Sequence, residues 1–341
     1  MRSPLDDNTE EFGFLLIPEF PIYALILITE ILRVANQNAG RRLFDWHLIS
    51  VDGGPVNAGS GMPISPDLSI AEVSSAPSLS AVFVCSGNHP LQYIDNRLLN
   101  WLRRLDRHGV GLGALDTGTF ALAAAGLLDG YRVTLHWEAI PIFREQYPEI
   151  DIVEQLFILD RNRLTCAGGV AVLDMMLHLI AMRFGSSLAR IVANGFIHTR
   201  IGREADAQRL PMEGPAETAE TTVRRIIRVM EQNLDQPLTP GELAAACGVS
   251  IRGLERIVRR NLGDTPMRYY QKIRLRAARN LLFYSDISIR DISLSCGFSS
   301  PPVFTRAFRA QYGHSPREYR NDFSTDELRR FYPEFVQRMN G

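Results

Sequence analysis

Short apolar runs alternate with longer amphipathic stretches along the first 200 residues of the chain. The short runs have the length and the β-branched and aromatic content of buried strands, and they lie at 12–18, 44–54, 81–87 and 110–115. The longer stretches have the period of helices, and they lie at 23–40, 91–109, from about 118, and 170–185. Residues 150–169 predict two further strands around an Asp-Arg-Asn-Arg turn. This alternation predicts a mostly parallel sheet with helices on both faces.

The pattern changes after residue 200. Residues 201–219 are polar and interrupted by two prolines, so we predict a linker there. Beyond it, every apolar period is helical. We therefore expect an α/β sandwich domain at 10–200 and an all-α domain at 220–320, followed by a tail at 321–341.

The helical half contains two similar helix-turn-helix sequences. In the first, Thr239 and Glu242 form a capping box at the start of a short helix, and Gly248 lies in the turn before a basic helix. About 45 residues later the arrangement recurs around the turn CGFSS, and the stretch 267–285 predicts a long helix between the units. Any helical hairpin resembles one such unit, but two in tandem indicate a reader of two adjacent segments of a DNA major groove.

Charge separates the two halves. Residues 220–320 hold 17 Lys and Arg against 9 Asp and Glu, a net charge of +8. Because the whole chain has a net charge of −1, the remainder carries −9. A basic region in an otherwise acidic chain indicates an anionic partner, although charge alone does not distinguish a DNA-binding surface from a solvated one.

The amino-acid composition further limits the class of protein to which the chain can belong. Hydrophobic residues make up 45% and charged residues 22% of the chain, which excludes a disordered protein. No apolar run is long enough to span a membrane and the acidic N-terminal segment is unlike a signal peptide, so we expect a cytoplasmic protein with no membrane partner. The four cysteines lie far apart, at 85, 166, 247 and 296, so we expect buried free thiols and no metal site.

Residues 222–320 resemble the DNA-binding domain of the AraC/XylS family of bacterial transcription regulators, most clearly in GFSSPPVFTRAFRAQYGHSPREYR. The resemblance implies that two recognition helices contact DNA. The implied residues are Arg252, Glu255, Arg256 and Arg259 in the first helix, and Ser300, Pro302, Val303, Thr305, Arg306 and Arg309 in the second. Arginine can pair bidentately with guanine, whereas valine offers only contact with a thymine methyl. For Arg259 and Arg309, phosphate contact and plain solvent exposure are both open.

Pro301 and Pro302 depart from that family's pattern, in which polar residues are common at these positions. Two prolines suit the start of a helix, but they remove two backbone N–H donors that could contact DNA at this point.

Residues 110–125 predict a strand, a tight turn and a helix, with Asp116 at the turn. Many hydrolases present a nucleophile in this way, and the helix directs backbone N–H groups into the cleft. Residues 10–195 resemble the PfpI/ThiJ-like, class I amidotransferase-like domain, most clearly at 111–138 and 164–178. In catalytic relatives the turn carries cysteine, with a histidine nearby that His136 matches. A carboxylate cannot perform thiolate chemistry, so we expect no catalytic residue and no cofactor.

A fixed carboxylate in a cleft favours a positively charged ligand. Trp137, Tyr23 and Trp46 are candidate walls, since aromatic faces attract ammonium and guanidinium groups. The candidate ligand-binding residues are Asp116, Thr117, His136, Trp137, Glu30, Cys85 and Ser86. Resemblance to the GlxA-like regulators, which include sensors of arginine, glycine betaine and carnitine, implies a small cationic or zwitterionic metabolite. Two simpler roles stay open: Asp116 as a helix cap and His136 as a core histidine.

The sequence as a whole predicts a sequence-specific DNA-binding transcription regulator, and we expect an activator that responds to such a metabolite. Its expected partners are double-stranded promoter DNA, a small amine-bearing metabolite, RNA polymerase and a second copy of the chain in a homodimer. One alternative is a cysteine-dependent hydrolase or amidase fused to a DNA-binding module, acting through Cys85 or Cys166. Another is a constitutive DNA-binding protein whose first domain only dimerises.

Overall fold

The computed structural model describes residues 9–73, 79–198, 201–204, 206–208 and 217–322. The chain divides into two compact units, Met1–Arg209 and Leu210–Gly341. Within the described ranges, no helix combines the length and the apolar character needed to cross a membrane.

The first unit contains alternating strands and helices. Its strands are β1 (Glu10–Leu16), β2 (Phe44–Ser50), β3 (Val56–Asn57), β4 (Pro63–Ile64), β5 (Leu68–Ser69), β6 (Ala81–Ser86), β7 (Gly111–Asp116), β8 (Arg132–Val133), β9 (Asp151–Ile152), β10 (Phe157–Asp160) and β11 (Arg163–Cys166). Its helices are α1 (Ile22–Ala39), α2 (Ile70–Val73), α3 (Asn96–Arg107), α4 (Thr119–Ala124), α5 (Ile140–Gln146), α6 (Ala171–Phe184) and α7 (Ser186–Gly195). A 3₁₀ turn at Pro90–Tyr93 precedes α3.

Among the described residues, the main sheet has seven strands in the order β10-β11-β7-β6-β1-β2-β5. All neighbouring pairs are parallel except β10 with β11, which form an antiparallel hairpin at one edge. The larger core lies between one face of the sheet and helices α1, α6 and α7. Helices α3 and α4 pack on the other face. The expected α/β sandwich with a mostly parallel sheet is confirmed.

Some element boundaries differ from the sequence prediction for local reasons. The strand expected at 44–54 ends at Ser50, since the Ser50 hydroxyl accepts a hydrogen bond from the Gly53 N–H in a turn. The helix expected at 91–109 begins only at Asn96, because Asp95 caps it by accepting the Leu98 N–H at 2.8 Å.

In the second unit, the described residues form helices and the turns between them. Its helices are α8 (Glu217–Gln232), α9 (Pro240–Ala246), α10 (Ile251–Leu262), α11 (Pro266–Tyr284), α12 (Ile289–Ser295), α13 (Pro301–Tyr312) and α14 (Pro316–Asp322). The predicted capping box is present, because Thr239 and Glu242 each accept a hydrogen bond from the other's backbone N–H. The first three residues of α8 fall within the linker predicted at 201–219.

Helix α11 joins two separate hydrophobic cores. Its first half places Tyr270 and Ile273 in a core with α8, α9 and α10. Its second half contributes Leu275, Ala278 and Leu282 to a core with α12 and α13. Between the halves, the Arg274 guanidinium donates to the carbonyls of Cys296 at 2.7 Å and Gly297 at 2.6 Å, so it caps the end of α12. The two helix-turn-helix units are therefore fixed to one continuous helix.

Candidate functional site

Asp116 lies at the sharp turn between β7 and α4, at the carboxyl edge of the sheet. Its φ of 59° is in the left-handed region, which a non-glycine residue adopts only when its surroundings hold it there. Gly118 permits the tight turn, because a Cβ at that position would collide with the carbonyl oxygen of Val84. The predicted elbow is present, and it carries a carboxyl group that is 7% exposed.

Burial dominates the electrostatics of this carboxyl group. Burial and, to a smaller extent, the charge of Glu138 raise the pKa of Asp116 to about 8, against the opposing effect of a hydrogen bond from the Thr117 N–H. At neutral pH most of the Asp116 population therefore keeps its proton. A positive group placed against it would favour the ionised form and recover part of the cost of burying a charge.

A glycine turn and a tyrosine enclose the Asp116 side chain. Gly168, at φ 83°, packs directly on the carboxyl group, since a Cβ there would lie 2.7 Å from the Asp116 Oδ2. Burial and the charge of Asp116 raise the pKa of Tyr23, whose hydroxyl oxygen accepts the N–H of Gly169. Tyr23 is 48% exposed at the start of α1, so its ring combines contact with the site and access to solvent. Tyr23 therefore lies beside Asp116 and stays a candidate wall of a ligand-binding cleft.

The segment after β8 brings His136, Trp137 and Glu138 close to Asp116. The His136 N–H donates to the Asp116 carbonyl at 3.4 Å, and the rings of His136 and Trp137 lie 5.9 Å apart. Burial lowers the pKa of His136, while the charge of Glu138 opposes that shift. The buried Nδ1 of His136 has no hydrogen-bond partner among the described residues. A buried polar nitrogen without a hydrogen-bond partner suits a ligand that supplies a donor or acceptor.

Three candidate residues are brought to the site but are fully buried. The Thr117 hydroxyl donates to the Gly87 carbonyl at 2.6 Å and lies 3.2 Å from the Ser86 hydroxyl, so it ties the end of β7 to the end of β6. The side chain of Cys85 belongs to the hydrophobic core, with its sulfur 3.8 Å from the Phe83 carbonyl. Thr117 and Ser86 therefore hold the ends of β6 and β7 together beside Asp116, whereas the Cys85 side chain packs into the core.

Glu30 and Trp46 are not brought to the cleft. Glu30 forms an ion pair with Arg33 at 2.8 Å on the surface of α1, eight residues and about 12 Å of helix rise beyond the end that adjoins Asp116. Trp46 pairs with Phe12 in the amino half of the sheet and packs against the core. The expectation that they line the site is therefore wrong, because the strand and helix carry them away from the carboxyl edge.

Two acidic groups at this edge were not predicted as site residues. Glu138 follows Trp137 directly, and its charge acts on both Asp116 and His136. Glu19 follows β1 at φ 66°, and its Oε1 accepts the Tyr93 hydroxyl at 3.2 Å while burial raises its pKa. The sequence HWE could have pointed to Glu138, whereas only the fold brings Glu19 to the carboxyl edge.

Residues 201–204 and 206–208 are part of the first unit and hydrogen-bond to the rest of it, although the sequence predicts them as linker. The Gln208 Nε2 lies 2.9 Å from the carbonyls of Leu135 and Gln155 and 3.0 Å from the Thr134 hydroxyl. The Gly202 N–H donates to the Asp174 Oδ1 at 2.7 Å. We call residues 201–204 and 206–208 the strap. Its end is hydrogen-bonded to the residue that precedes His136 in the cleft.

The first recognition helix, α10, has one buried apolar face and one exposed polar face, as the sequence predicts. Leu254 and Val258 are buried, while four candidates are exposed: Arg252, Glu255, Arg256 and Arg259. The Ser250 hydroxyl caps this helix by accepting the Gly253 N–H at 3.1 Å. The exposed face is polar and mostly basic, as contact with a DNA groove requires.

The second recognition helix, α13, differs in detail from the prediction. Phe304 and Phe308 are buried, and the exposed candidates are Pro302, Arg306 and Arg309. Val303 is half-buried and packs against the core, so it points outward only in part, unlike the fully outward position that the sequence predicts. Ser300 and Thr305 are also half-buried.

The arginines of these helices are not equivalent. Arg309 lies 3.4 Å from the Glu318 carboxylate of α14, in an ion pair between two exposed side chains. Across the described ranges, Arg256 and Arg306 have no ion pair and no side-chain hydrogen bond. These two side chains can therefore turn toward DNA without breaking an interaction within the protein.

Comparisons with known proteins cover both units. Residues 27–182 match the DJ-1/PfpI family and residues 243–322 match a helix-turn-helix domain. The chain is 43% identical over 312 residues to the HTH-type transcriptional regulator CdhR of Pseudomonas aeruginosa, covering 92% of each. It is 40% identical to the regulator GbdR of the same species, covering 93% of this chain and 86% of the relative. The crystal structure of an AraC family transcriptional regulator from Pseudomonas putida is 29% identical, with a TM-score of 0.50, and the match covers 55% of this chain and 99% of that one.

Proposed function

The chain belongs to the HTH-type transcriptional regulators that join a DJ-1/PfpI domain to an AraC-type DNA-binding domain, and from this premise we propose that its first unit binds a small cationic or zwitterionic metabolite at Asp116. The observation that carries the proposal is a buried carboxyl group held at a strained turn, with Glu138, His136 and Tyr23 around it. An amino acid, a betaine or carnitine has the required charge.

The same geometry supports binding of a metabolite without a catalysed reaction. Burial raises the pKa of Cys166 to about 12 and raises that of Cys85 as well, so neither thiol is a ready nucleophile at neutral pH. Asp116 occupies the turn where a nucleophile would stand. The cysteine hydrolase alternative is thus disfavoured, and the ligand is expected to leave the cleft unchanged.

A thermal-shift screen tests the proposed site. Arginine, glycine betaine and carnitine are each titrated into the wild-type protein, Asp116→Asn, and Asp129→Asn as a matched control on an exposed residue of the same unit. We expect at least one compound to raise the melting midpoint of the wild type and of Asp129→Asn, and the response to disappear in Asp116→Asn. An equal response in all three proteins would remove Asp116 from the site.

We propose that the strap transmits the bound state of the cleft. A ligand that contacts His136 acts on the segment whose Leu135 carbonyl accepts the Gln208 amide. The chain continues from Gln208 into the second unit, so this hydrogen bond lies on the covalent path from the metabolite site to the DNA-binding helices. Coupling of about 1–3 kcal/mol is typical of such systems and changes DNA affinity about 5- to 150-fold.

Gln208→Ala separates transmission from binding. The variant is expected to keep the metabolite-dependent thermal shift and to lose the metabolite-dependent change in affinity for promoter DNA, measured by fluorescence anisotropy. A variant that retains the full affinity change would show that the signal takes another route.

On the DNA, we propose that Arg256 and Arg306 recognise bases, with Arg252, Glu255 and the start of α13 at Ser300 and Pro302 beside them. The partly buried Val303 and Thr305 would contribute at most apolar contact with a thymine methyl. We assign Arg259 to a phosphate, and Arg309 to its internal ion pair with Glu318.

We further propose that the protein acts as an activator, as a homodimer that contacts RNA polymerase at its promoters in the cytoplasm. The regulator family supports a role at double-stranded promoter DNA. Sedimentation with and without the metabolite tests the dimer. Transcription in a purified system with RNA polymerase tests activation, and a fall in transcript on adding the metabolite-bound protein would contradict it.

A further inference from the structure

Three potential metal ligands lie together on the first two strands of the sheet, at the edge opposite the cleft. Glu11 is on β1, while Asp45 and His47 are on β2. Glu11 pairs with Asp45 in the parallel register, and His47 is two residues farther along β2. Because side chains two apart in a strand share a face, the three project from the same side of the sheet.

The donor atoms of these residues are close enough to share one ion. One carboxylate oxygen of each acid and one imidazole nitrogen all lie within 4.8 Å of one another. Three atoms at that spacing lie within about 2.8 Å of a common point, and zinc ligands lie at about 2.0–2.2 Å. Small side-chain rotations therefore bring all three into coordination distance.

Charge gives an independent indication of a ligand. Glu11 is 6% exposed, and within the described part of the chain its buried Oε2 has no hydrogen-bond partner. Asp45 is equally buried but lies 2.6 Å from the Arg42 guanidinium and accepts the Trp46 N–H at 3.0 Å. Arg42 supplies one positive charge against two carboxylates, and a buried carboxylate without a partner is strongly unfavourable.

We propose that Glu11, Asp45 and His47 bind a first-row divalent cation, for which Zn²⁺ is the reference. Two carboxylates and one imidazole form a donor set that zinc accepts readily, whereas the imidazole disfavours Mg²⁺ and Ca²⁺, which bind oxygen ligands. His47 is half-buried, so its side of the ion stays open to a water ligand.

This metal site is separate from the metabolite cleft. Glu11 is the second residue of β1, and Asp116 lies at the opposite ends of the parallel strands, about 20 Å away at about 3.3 Å per residue. The ion would join the beginnings of β1 and β2, and it would stabilise the folded unit by binding it in preference to the unfolded chain.

Isothermal titration of ZnCl₂ into untagged, chelator-treated full-length protein tests the proposal. We expect one zinc per chain and a zinc-dependent rise in melting midpoint. His47→Ala and Glu11→Gln should each bind at least about tenfold more weakly. Glu11→Gln should also keep or raise the midpoint of the metal-free protein, because it removes an unpartnered buried carboxylate.

Two controls make the result specific. His108→Ala removes an exposed imidazole from the same unit and should bind zinc as the wild type does. Asp116→Asn should also bind zinc normally, since the cleft is remote. The proposal is overturned if the wild type binds no zinc, or if His47→Ala binds it as tightly as the wild type. If Glu11→Gln does not fold, His47→Ala decides alone, because its side chain is only half-buried.

Discussion

Replacing Asp116 with asparagine should change how the stability of the first unit depends on pH. In the folded protein the pKa of Asp116 is about 8, mainly through burial, against 3.8 for an ordinary aspartate. Between about pH 4 and pH 8 the folded state keeps a proton that the unfolded chain has lost. Stability due to this group is therefore fully present below pH 4, decreases as the pH rises to about 8, and is constant above that.

The expected magnitude follows from that window. Each pH unit inside it changes the free energy of unfolding by about 1.4 kcal/mol, so the change from pH 5 to pH 8 is on the order of 4 kcal/mol. For a unit of this size that corresponds to a shift of about 10 °C in melting midpoint. Asparagine has no proton to lose, so Asp116→Asn should lack this component and be the more stable protein at pH 8.

The assay is differential scanning calorimetry of the full chain at half-unit steps from pH 5 to 8.5. Asp129→Asn, on an exposed turn, controls for replacing any aspartate, and the difference between proteins cancels groups that titrate in both. Parallel pH profiles for the wild type and Asp116→Asn would refute the reasoning, since they would mean that Asp116 ionises normally.

Three further outcomes are expected. If glycine betaine is a ligand, its affinity measured by calorimetry should rise about tenfold per pH unit from pH 6 to 7 and level off above about 8, because it binds the ionised Asp116; a pH-independent affinity would contradict this. Arg256→Ala should cost about 1–3 kcal/mol at one base pair in a binding assay over operator variants, whereas Arg309→Ala should have little effect; equal weakening on every sequence would make Arg256 a phosphate contact. Gly297→Ala should destabilise the second unit to urea more than the equivalent Gly248→Ala, since both have positive φ but only the Cβ at 297 would meet the Leu234 carbonyl and Pro237; equal losses would exclude the clash.

The fold could be predicted from the sequence because it depends on local sequence patterns. Runs of strand length separated by helical periods fixed the alternation of the first unit, and Gly248 and Gly297 marked both turns of the second. The turn at Asp116 was also predictable, because glycines and alanines on its helical side permit the close approach of strand and helix.

The composition of the cleft was less predictable because it depends on distant pairs and on which face a side chain takes. Tyr23 and Asp116 meet only because β1 and β7 end at one edge of the sheet. Cys85 sits beside Ser86 in the sequence, yet alternation along β6 turns its sulfur into the core. The sequence also gave no reason to expect a metal site, since Glu11 lies 34 residues before Asp45 and only strand register brings them together.

The continuous helix between the two helix-turn-helix units has a consequence for how related proteins can vary. One added or deleted residue in α11 would turn everything beyond it by about 100° and move it by about 1.5 Å. The second recognition helix would then meet the double helix out of phase with the first. We therefore expect the length of α11 to be invariant among regulators of this kind. The spacing along the DNA between the two segments that they contact would then be set by the length of this helix.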